Sequence, residues 1–268
     1  MTKDIDHWFE TSVAQLSDPQ NQRVWSIIVS LFGDMAQAEG DQISGAALTR
    51  IITPMGIKPE AIRVALHRLR KDGWIESERS GRASVHFLTQ YGRSQSAAVT
   101  PRIYDRAPRI AQDWHLLIAD DAAGQAVLDD LLLLPNYITV NRNTALGHGT
   151  MPGSLEDLLA IGASDFAVPD WLKARIFPGD LTAACGSLLQ ELKAAGLPPA
   201  QPDALQIAAL RTLVVHRWRR VVLRHPDLPE SFHPASWPGT ACRDRVFALL
   251  DALPRPDAGT LNSAWDGS

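Results

Sequence analysis

The apolar positions from 45 to 71 recur at helical spacing in two successive stretches. Ser44 is a preferred residue type for the position just before a helix, and the stretch 53–56 (TPMG) ends the first helix at a glycine turn. The buried face of the first predicted helix consists of Ala47, Leu48, Ile51 and Ile52. The sequence therefore predicts two helices joined by a tight turn.

The second helix is predicted to run from Pro59 to the residue before Gly73. Proline suits the first helical turn, and the carboxylate of Glu60 lies near the positive end of the helix dipole. Its apolar face consists of Ile62, Ala65, Leu66 and Leu69. The residues predicted to point outward are Glu60, Arg63, Val64, His67, Arg70 and Lys71. Lys58 is a poor residue type for the N-cap of this helix.

After Gly73 the pattern changes to the alternation typical of strands. Ile75 with Ser77, and Val85 with Phe87, flank the turn at 79–82, which carries Arg79 and Arg82. Two helices followed by a hairpin with arginines at its tip form the outline of a winged helix-turn-helix. We predict this DNA-binding domain at residues 1–92, with its first helix around 24–32.

Charge supports this prediction. Residues 48–93 hold nine basic and four acidic side chains, a net charge of +5, whereas the whole chain carries −4. Cations concentrated on one surface are what binding to phosphates requires. Residues predicted to contact DNA are Lys58, Arg63, His67, Arg70, Lys71, Arg79 and Arg82. The alternative interpretation is a solvated helix face, or a winged-helix module that binds an acidic protein.

Beyond this segment we predict a linker at 93–112, rich in Ser, Pro and Arg, and a middle domain at 113–178. Its predicted order is strand 114–119, helix 121–134, strand 137–140, strand 143–146, helix 155–161, and extended segments at 166–168 and 171–176. This order is that of a ferredoxin-like α/β sandwich. Residues 179–268 are predicted to form a helical domain with helices at 181–195, 204–223 and 243–253 and a loose polar tail. The predicted fold class is α+β and multidomain.

Other chemistry is weakly indicated. The stretch GHGTMPGS at 147–154 lacks the Gly-Lys-Ser/Thr end of a phosphate-binding loop, and Asp120 with Asp121 suits a helix cap better than an acid–base pair. Cys185 and Cys242 have no C-x-x-C neighbour, so we expect buried thiols, with no disulfide scaffold and no metal site. No nucleophile–base pattern indicates an enzyme, and we predict no catalytic residues and no cofactor. The absence of an apolar run of membrane-spanning length and of a secretion-signal pattern leads us to expect a soluble cytoplasmic protein.

Two separated blocks resemble one family. They are ALTRIITPMGIKPEAIRVALHRLRKDGWIESERSGRASVHFLT at 47–89 and VVHRWRRVVLRHPDLPESFHPASWPG at 214–239. Both resemble the PaaX-type bacterial transcriptional repressors of phenylacetic acid catabolism, and the second block is the more specific.

The resemblance implies a homodimeric repressor with a winged helix, a ferredoxin-like middle domain and a helical C-terminal domain. It also implies an aryl-acyl-CoA effector, such as phenylacetyl-CoA, that lowers operator affinity. The effector residues it suggests are His216, Trp218, Arg219 and Arg220. Guanidinium groups suit CoA phosphates, but the two arginines could equally brace Asp227, Glu230 or a helix end. A CoA-dependent enzyme fused to a DNA-binding head is a further alternative.

Overall fold

Helices make up most of the chain, and two antiparallel sheets complete an α+β structure. The computed structural model describes residues 2–19, 23–80, 83–107, 113–120, 122–134, 136–153 and 156–266. Its helices are α1 (Thr2–Leu16), α2 (Val24–Met35), α3 (Gly45–Ile52), α4 (Pro59–Lys71), α5 (Gln90–Tyr104), α6 (Ala122–Leu131), α7 (Asp170–Ile176), α8 (Gly179–Ala195), α9 (Ala204–Val222), α10 (Gly239–Ala252) and α11 (Ala258–Asp266). Its strands are β1 (Ile43–Ser44), β2 (Ile75–Ser80), β3 (Ala83–Leu88), β4 (Trp114–Ala119), β5 (Tyr137–Asn141), β6 (Thr144–His148) and β7 (Leu158–Ala163).

The elements predicted between residues 24 and 88 are confirmed. The Ser44 hydroxyl accepts the backbone N–H of Ala47 at 3.1 Å, which caps α3. Gly56 has φ +79° in the turn before α4, a conformation that glycine adopts at little cost. Strands β2 and β3 form a hairpin, and β1 pairs with the other edge of β3. This small sheet holds the amino end of α3 and the hairpin together.

The first part of the predicted linker at 93–112 is wrong, because residues up to Tyr104 form α5. The Thr89 side chain caps this helix by accepting the N–H of Gly92 at 2.9 Å. The buried face of this helix has few apolar residues and includes Ser96 and Ile103. Because small polar residues occupy part of that face, the sequence shows no apolar periodicity there. Residues 108–112 of the predicted linker lie outside the described residues.

The middle sheet has the order β5-β6-β4-β7, and all its pairings are antiparallel. Strands β4, β5 and β6 and helix α6 confirm their predictions. Leu117, Ala119 and Leu128 form part of the core between this sheet and α6.

Three predictions for the second half of the middle domain are wrong. The helix predicted at 155–161 is the edge strand β7, whose pairing with β4 overrides the helical preference of its leucines. The segment 171–176, predicted as extended, is α7, and Pro169 precedes it as its N-cap residue rather than interrupting a strand. Residues 166–168 are not in a strand.

The predicted C-terminal helices are confirmed as α8, α9 and α10. The predicted loose tail is wrong in part, because residues 258–266 form α11. Asn262 on this helix accepts the N–H of Ser44 at 2.8 Å and donates to the carbonyl oxygen of Gln42 at 2.9 Å. These contacts to a distant segment account for order that the polar sequence did not predict.

The chain forms two compact units, each assembled from separate segments. The larger comprises residues 1–106, 184–221 and 238–268, and the smaller comprises residues 107–183 and 222–237. The N-terminal and C-terminal segments, predicted at 1–92 and 179–268 as separate domains, therefore contribute mainly to one unit. Within it, the Trp8 indole donates to the carbonyl oxygen of Ala195 at 2.8 Å, and Arg217 pairs with Glu191. Such long-range contacts carry no local signature in the sequence.

Cys185 and Cys242 are free and fully buried, as predicted, but their thiols lie within hydrogen-bonding distance of each other in the larger unit. That bond and burial raise the pKa of Cys242 far above its usual value, which makes it a poor nucleophile. Among the described residues no group of three or more His, Cys, Asp or Glu side chains is arranged to hold a metal ion. None of the described helices has the length and apolarity needed to cross a membrane.

Candidate nucleic-acid interface

Helix α4 presents one apolar face to the core and one polar face to solvent. Pro59 occupies the first turn, and Lys58 makes no side-chain cap, as its residue type predicted. The four predicted core residues of the helix, Ile62, Ala65, Leu66 and Leu69, are between 1% and 7% exposed. Burial on this scale, worth about 1.5–3 kcal/mol for each large apolar side chain, fixes the rotation of the helix about its axis. The opposite side chains therefore point outward.

The outward stripe of α4 combines three cations and a histidine with one apolar side chain. All five of its members, Arg63, Val64, His67, Arg70 and Lys71, are exposed, as predicted. Val64 is 70% exposed, although a branched apolar residue is usually at least half-buried. Val64 is predicted from the sequence to point outward, but it is not among the predicted contact residues. The signal that identifies it is an apolar side chain in the middle of a charged helix face.

Most cations of this surface have no carboxylate partner within the described residues. The exceptions on α4 are Arg63, which contacts Glu60 at 3.4 Å, and Arg68, which contacts Asp72 at 3.4 Å and lies over the Trp25 ring. Both pairs are largely exposed, so each contributes little to stability. No ion pair engages the remaining predicted contact residues of the described chain, Lys58, His67, Arg70, Lys71 and Arg79. These side chains are available to an external anion.

The hairpin β2–β3 carries the other predicted contacts. Arg79 is exposed near the tip and pairs in register with Ser84. Arg82, also predicted to contact DNA, lies outside the described residues. At the base of the hairpin, buried His86 forms a hydrogen bond with Ser77 at 2.7 Å. Burial, with a smaller effect from Arg70, lowers the pKa of His86 to about 4, so this imidazole is neutral at neutral pH.

The four predicted effector residues lie along the last turns of α9 in different environments. His216 and Trp218 are about 2% exposed or less; His216 forms a hydrogen bond with Ser30 at 3.3 Å, and the Trp218 indole donates to the Ile103 carbonyl at 3.0 Å. Arg220 pairs with Asp18 at 3.4 Å. Arg219 donates to the Ser30 hydroxyl at 3.1 Å and lines a small cleft. The role of these four residues in effector binding stays a prediction.

Two family models match this chain. The one described as "PaaX-like protein" matches residues 23–92, and the one described as "PaaX-like protein C-terminal domain" matches residues 168–258. The two matches include α4, the hairpin and the whole of α9. The chain belongs to the PaaX-like family. The resemblance seen in the two sequence blocks is thereby confirmed.

A curated relative and a solved structure extend the comparison over most of this PaaX-like chain. The Transcriptional repressor PaaX of Escherichia coli (strain K12) is 26% identical over 254 residues, covering 85% of this chain and 79% of that protein. The uncharacterized protein Rv0674 from Mycobacterium tuberculosis has a similar fold, with a TM-score of 0.55 and 20% identity. That likeness covers 90% of this chain and 97% of the other, and it concerns the fold alone.

Proposed function

We propose that this PaaX-like protein is a bacterial transcriptional repressor that binds duplex DNA through a winged helix-turn-helix formed by α3, α4 and the β2–β3 hairpin. The observation that carries the proposal is the outward stripe of α4, where an exposed valine lies among Arg63, His67, Arg70 and Lys71. Of these, Arg70 and Lys71 have no carboxylate partner among the described residues. Repression is supported by the name of the Escherichia coli relative. Because its target is chromosomal DNA, the proposal places the protein in the cytoplasm.

In this proposal α4 lies in the major groove. Arg63 and His67 contact base edges, since they lie in the middle of the stripe, and Val64 contacts a thymine methyl group. Lys58, Arg70 and Lys71 contact phosphates from the ends of the helix. Arg79, near the hairpin tip, and Arg82 contact the flanking backbone or minor groove. A homodimer would place two such helices in successive major grooves of one operator face.

We propose further that the middle segment is a ferredoxin-like domain. The connection β4–α6–β5 leaves room for β6 between its two strands, which is the split β-α-β arrangement of such domains. Between β6 and β7, the described residues contain a turn and no helix. This arrangement would be a ferredoxin-like sheet with its second helix missing.

The proposed effector is an aryl-acyl-CoA such as phenylacetyl-CoA, which would release the repressor from its operator. Its support is the family resemblance. The cleft at Arg219 has a free volume of about 30 Å³, far below the several hundred Å³ of a pocket for a drug-sized ligand. In the proposal, therefore, the nucleotide part of an acyl-CoA binds on another surface. Effector release requires that the ligand bind the DNA-free state more tightly than the DNA-bound state.

The test is a gel shift of the full chain with DNA from upstream of its own gene, competed with random duplex DNA and repeated with a panel of acyl-CoAs. We expect sequence-selective, salt-sensitive binding that phenylacetyl-CoA weakens. Equal affinity for all duplexes would contradict an operator-specific repressor. No binding at low salt would contradict DNA binding and favour a protein-interaction module. Release of free thiol from acyl-CoA would instead indicate an enzyme. Unchanged operator affinity at saturating phenylacetyl-CoA would reject only the effector.

A further inference from the structure

A small cleft lies between α2, α5 and α9 in the larger unit. Its walls are largely apolar and include Val29, Val99 and Val215, and the guanidinium of Arg219 lies at one side. The cleft is partly open and has a free volume of about 30 Å³. A single water needs roughly 10–15 Å³, so the enclosed part of the cleft holds about two or three heavy atoms, the size of a carboxylate group. A longer ligand extends through the open side of the cleft.

Arg219 is a half-buried cation without a counter-ion among the described residues. Its one hydrogen bond within the described chain is the donation to the neutral Ser30 hydroxyl, and burial lowers the pKa of its guanidinium. Neighbouring arginines of α9 differ, since Arg211, Arg217 and Arg220 pair with Asp34, Glu191 and Asp18. Charges withdrawn from water are normally paired in proteins, so an unpaired one points to a missing anion.

A second polar group in the cleft is also unsatisfied. Ser96 is 6% exposed, lines the cleft, and its hydroxyl has no hydrogen-bond partner in the described structure. The hydroxyl of Thr100, one turn later on α5, differs because it donates to the Ser96 carbonyl oxygen at 2.9 Å. Buried hydroxyls are usually bonded, so the unsatisfied Ser96 hydroxyl, which is itself buried, can turn about its Cα–Cβ bond and donate to a ligand acceptor in the cleft.

None of the described groups around the cleft adds an unpaired negative charge. His216, behind Ser30, is neutral at neutral pH because burial and Arg219 lower its pKa to about 4. Tyr104 lines the cleft, but its hydroxyl donates to Asp34 at 2.7 Å. Asp34 is already shared by Arg211 and Arg255. The local balance around the cleft is therefore positive.

We propose that this cleft is a binding site for a short-chain carboxylate, whose carboxylate accepts hydrogen bonds from Arg219 and Ser96 and whose apolar stem lies against Val29, Val99 and Val215. One guanidinium matches a monoanion, and the carboxylate geometry suits its paired N–H groups. The apolar walls favour a carbon stem over a bare inorganic ion. A dianionic phosphate would leave one charge buried and uncompensated.

The experiment is isothermal titration calorimetry of the full chain in carboxylate-free buffer with acetate, butyrate, neutral butyramide and chloride. Butyrate is expected to bind with one site per chain and more tightly than acetate, while butyramide and chloride are expected to bind far more weakly. If butyramide binds as tightly as butyrate, the charge of the ligand does not contribute to binding, and the proposal is overturned. Chloride binding as tightly as butyrate would identify an inorganic anion site and overturn the proposal, as would a failure of every carboxylate to bind.

Variants separate a ligand site from a structural role. Arg219→Met should weaken butyrate binding roughly ten- to a hundred-fold, the range of a charged hydrogen bond, without lowering the thermal midpoint of the free protein. Ser96→Ala should weaken binding less, and Arg142→Met, the same change at an exposed cation of the β5–β6 turn, should leave it unchanged. If Arg219→Met fails to fold, Arg219→Lys tests the charge alone and should retain weakened binding. Butyrate affinity unaltered in both Arg219 variants would overturn the assignment. These titrations do not involve DNA, so their outcome is independent of the repressor proposal.

Discussion

Arg211 and Asp34 form a buried, bidentate ion pair although 177 residues separate them in the sequence. The Arg211 Nε lies 2.8 Å from one carboxylate oxygen of Asp34, and Nη2 lies 2.9 Å from the other. The same guanidinium donates to the carbonyl oxygens of Leu250 and Leu253 at the end of α10. This ion pair therefore joins α2 of the N-terminal segment to α9 and α10.

Asp34→Asn is expected to lower the free energy of unfolding by about 3–5 kcal/mol, because it leaves Arg211 buried without a counter-charge. Urea denaturation followed by circular dichroism measures the change. The matched control is Asp251→Asn, which breaks the exposed pair with Arg106 and should have little effect. Similar losses in both variants would show that the buried pair contributes no more to stability than the exposed one.

The same ion pair predicts that residues 1–92 alone are unstable, since they contain Asp34 and lack Arg211, Tyr104 and Arg255. The fragment should show a much lower thermal midpoint than the full chain. A cooperative transition at the midpoint of the full chain would contradict this prediction and support an independent N-terminal domain.

Changing Arg79 and Arg82 together to Ala should weaken binding to all duplexes and reduce the salt slope of log affinity by about 0.9 for each phosphate that is no longer neutralised. Fluorescence anisotropy at several salt concentrations measures both effects. Arg142→Ala, a control that removes one exposed cation from the β5–β6 turn, should leave the slope unchanged. An unaltered slope in the double variant would exclude the hairpin from the interface.

Arg63→Ala and His67→Ala should each reduce operator affinity by about 1–3 kcal/mol while changing affinity for random DNA much less, because these residues are proposed to contact bases. The measurement is competition between operator and random duplexes. A uniform loss for both duplexes would assign the two side chains to phosphates instead.

Val64→Ser should reduce operator affinity without destabilising the fold, since the side chain is 70% exposed and contributes little to the core. Operator variants with uracil in place of thymine, which lack the methyl group, should then bind wild type and Val64→Ser alike. A thermal midpoint lowered by several degrees would mean that Val64 acts through folding.

Acid should destabilise the protein between about pH 6.5 and 4 through His216. Its folded-state pKa of about 4 lies below the ordinary 6.5, so the unfolded chain binds a proton first and stability falls as the pH drops through this window. The full effect is on the order of 3 kcal/mol. Urea midpoints measured across this range should fall more steeply for wild type than for His216→Gln. Parallel curves would contradict a neutral buried imidazole.

The sequence by itself determined which residues form the exposed face proposed to bind DNA, and most of the regular elements. The buried and exposed faces of α4, the cap of α3 at Ser44, and the hairpin all follow from periodicity and residue type over a few neighbours. Such signals are local, because a helix or a hairpin fixes which side chains share a face. The two sequence blocks also identified the family that the two matched models confirm.

Only the tertiary structure decided the rest. The strand β7 exists through pairing with β4, and α11 is held by contacts to Ser44 and Gln42, across more than 200 residues. The union of both chain ends in one unit depends on pairs such as Arg211 with Asp34, whose partners no local pattern connects. For the same reason the sequence grouped Arg219 with Arg220, whereas the fold placed Asp18 beside Arg220 and left Arg219 beside a neutral hydroxyl. Whether a charge is paired depends on which distant segments pack against it, and that is decided when the chain folds.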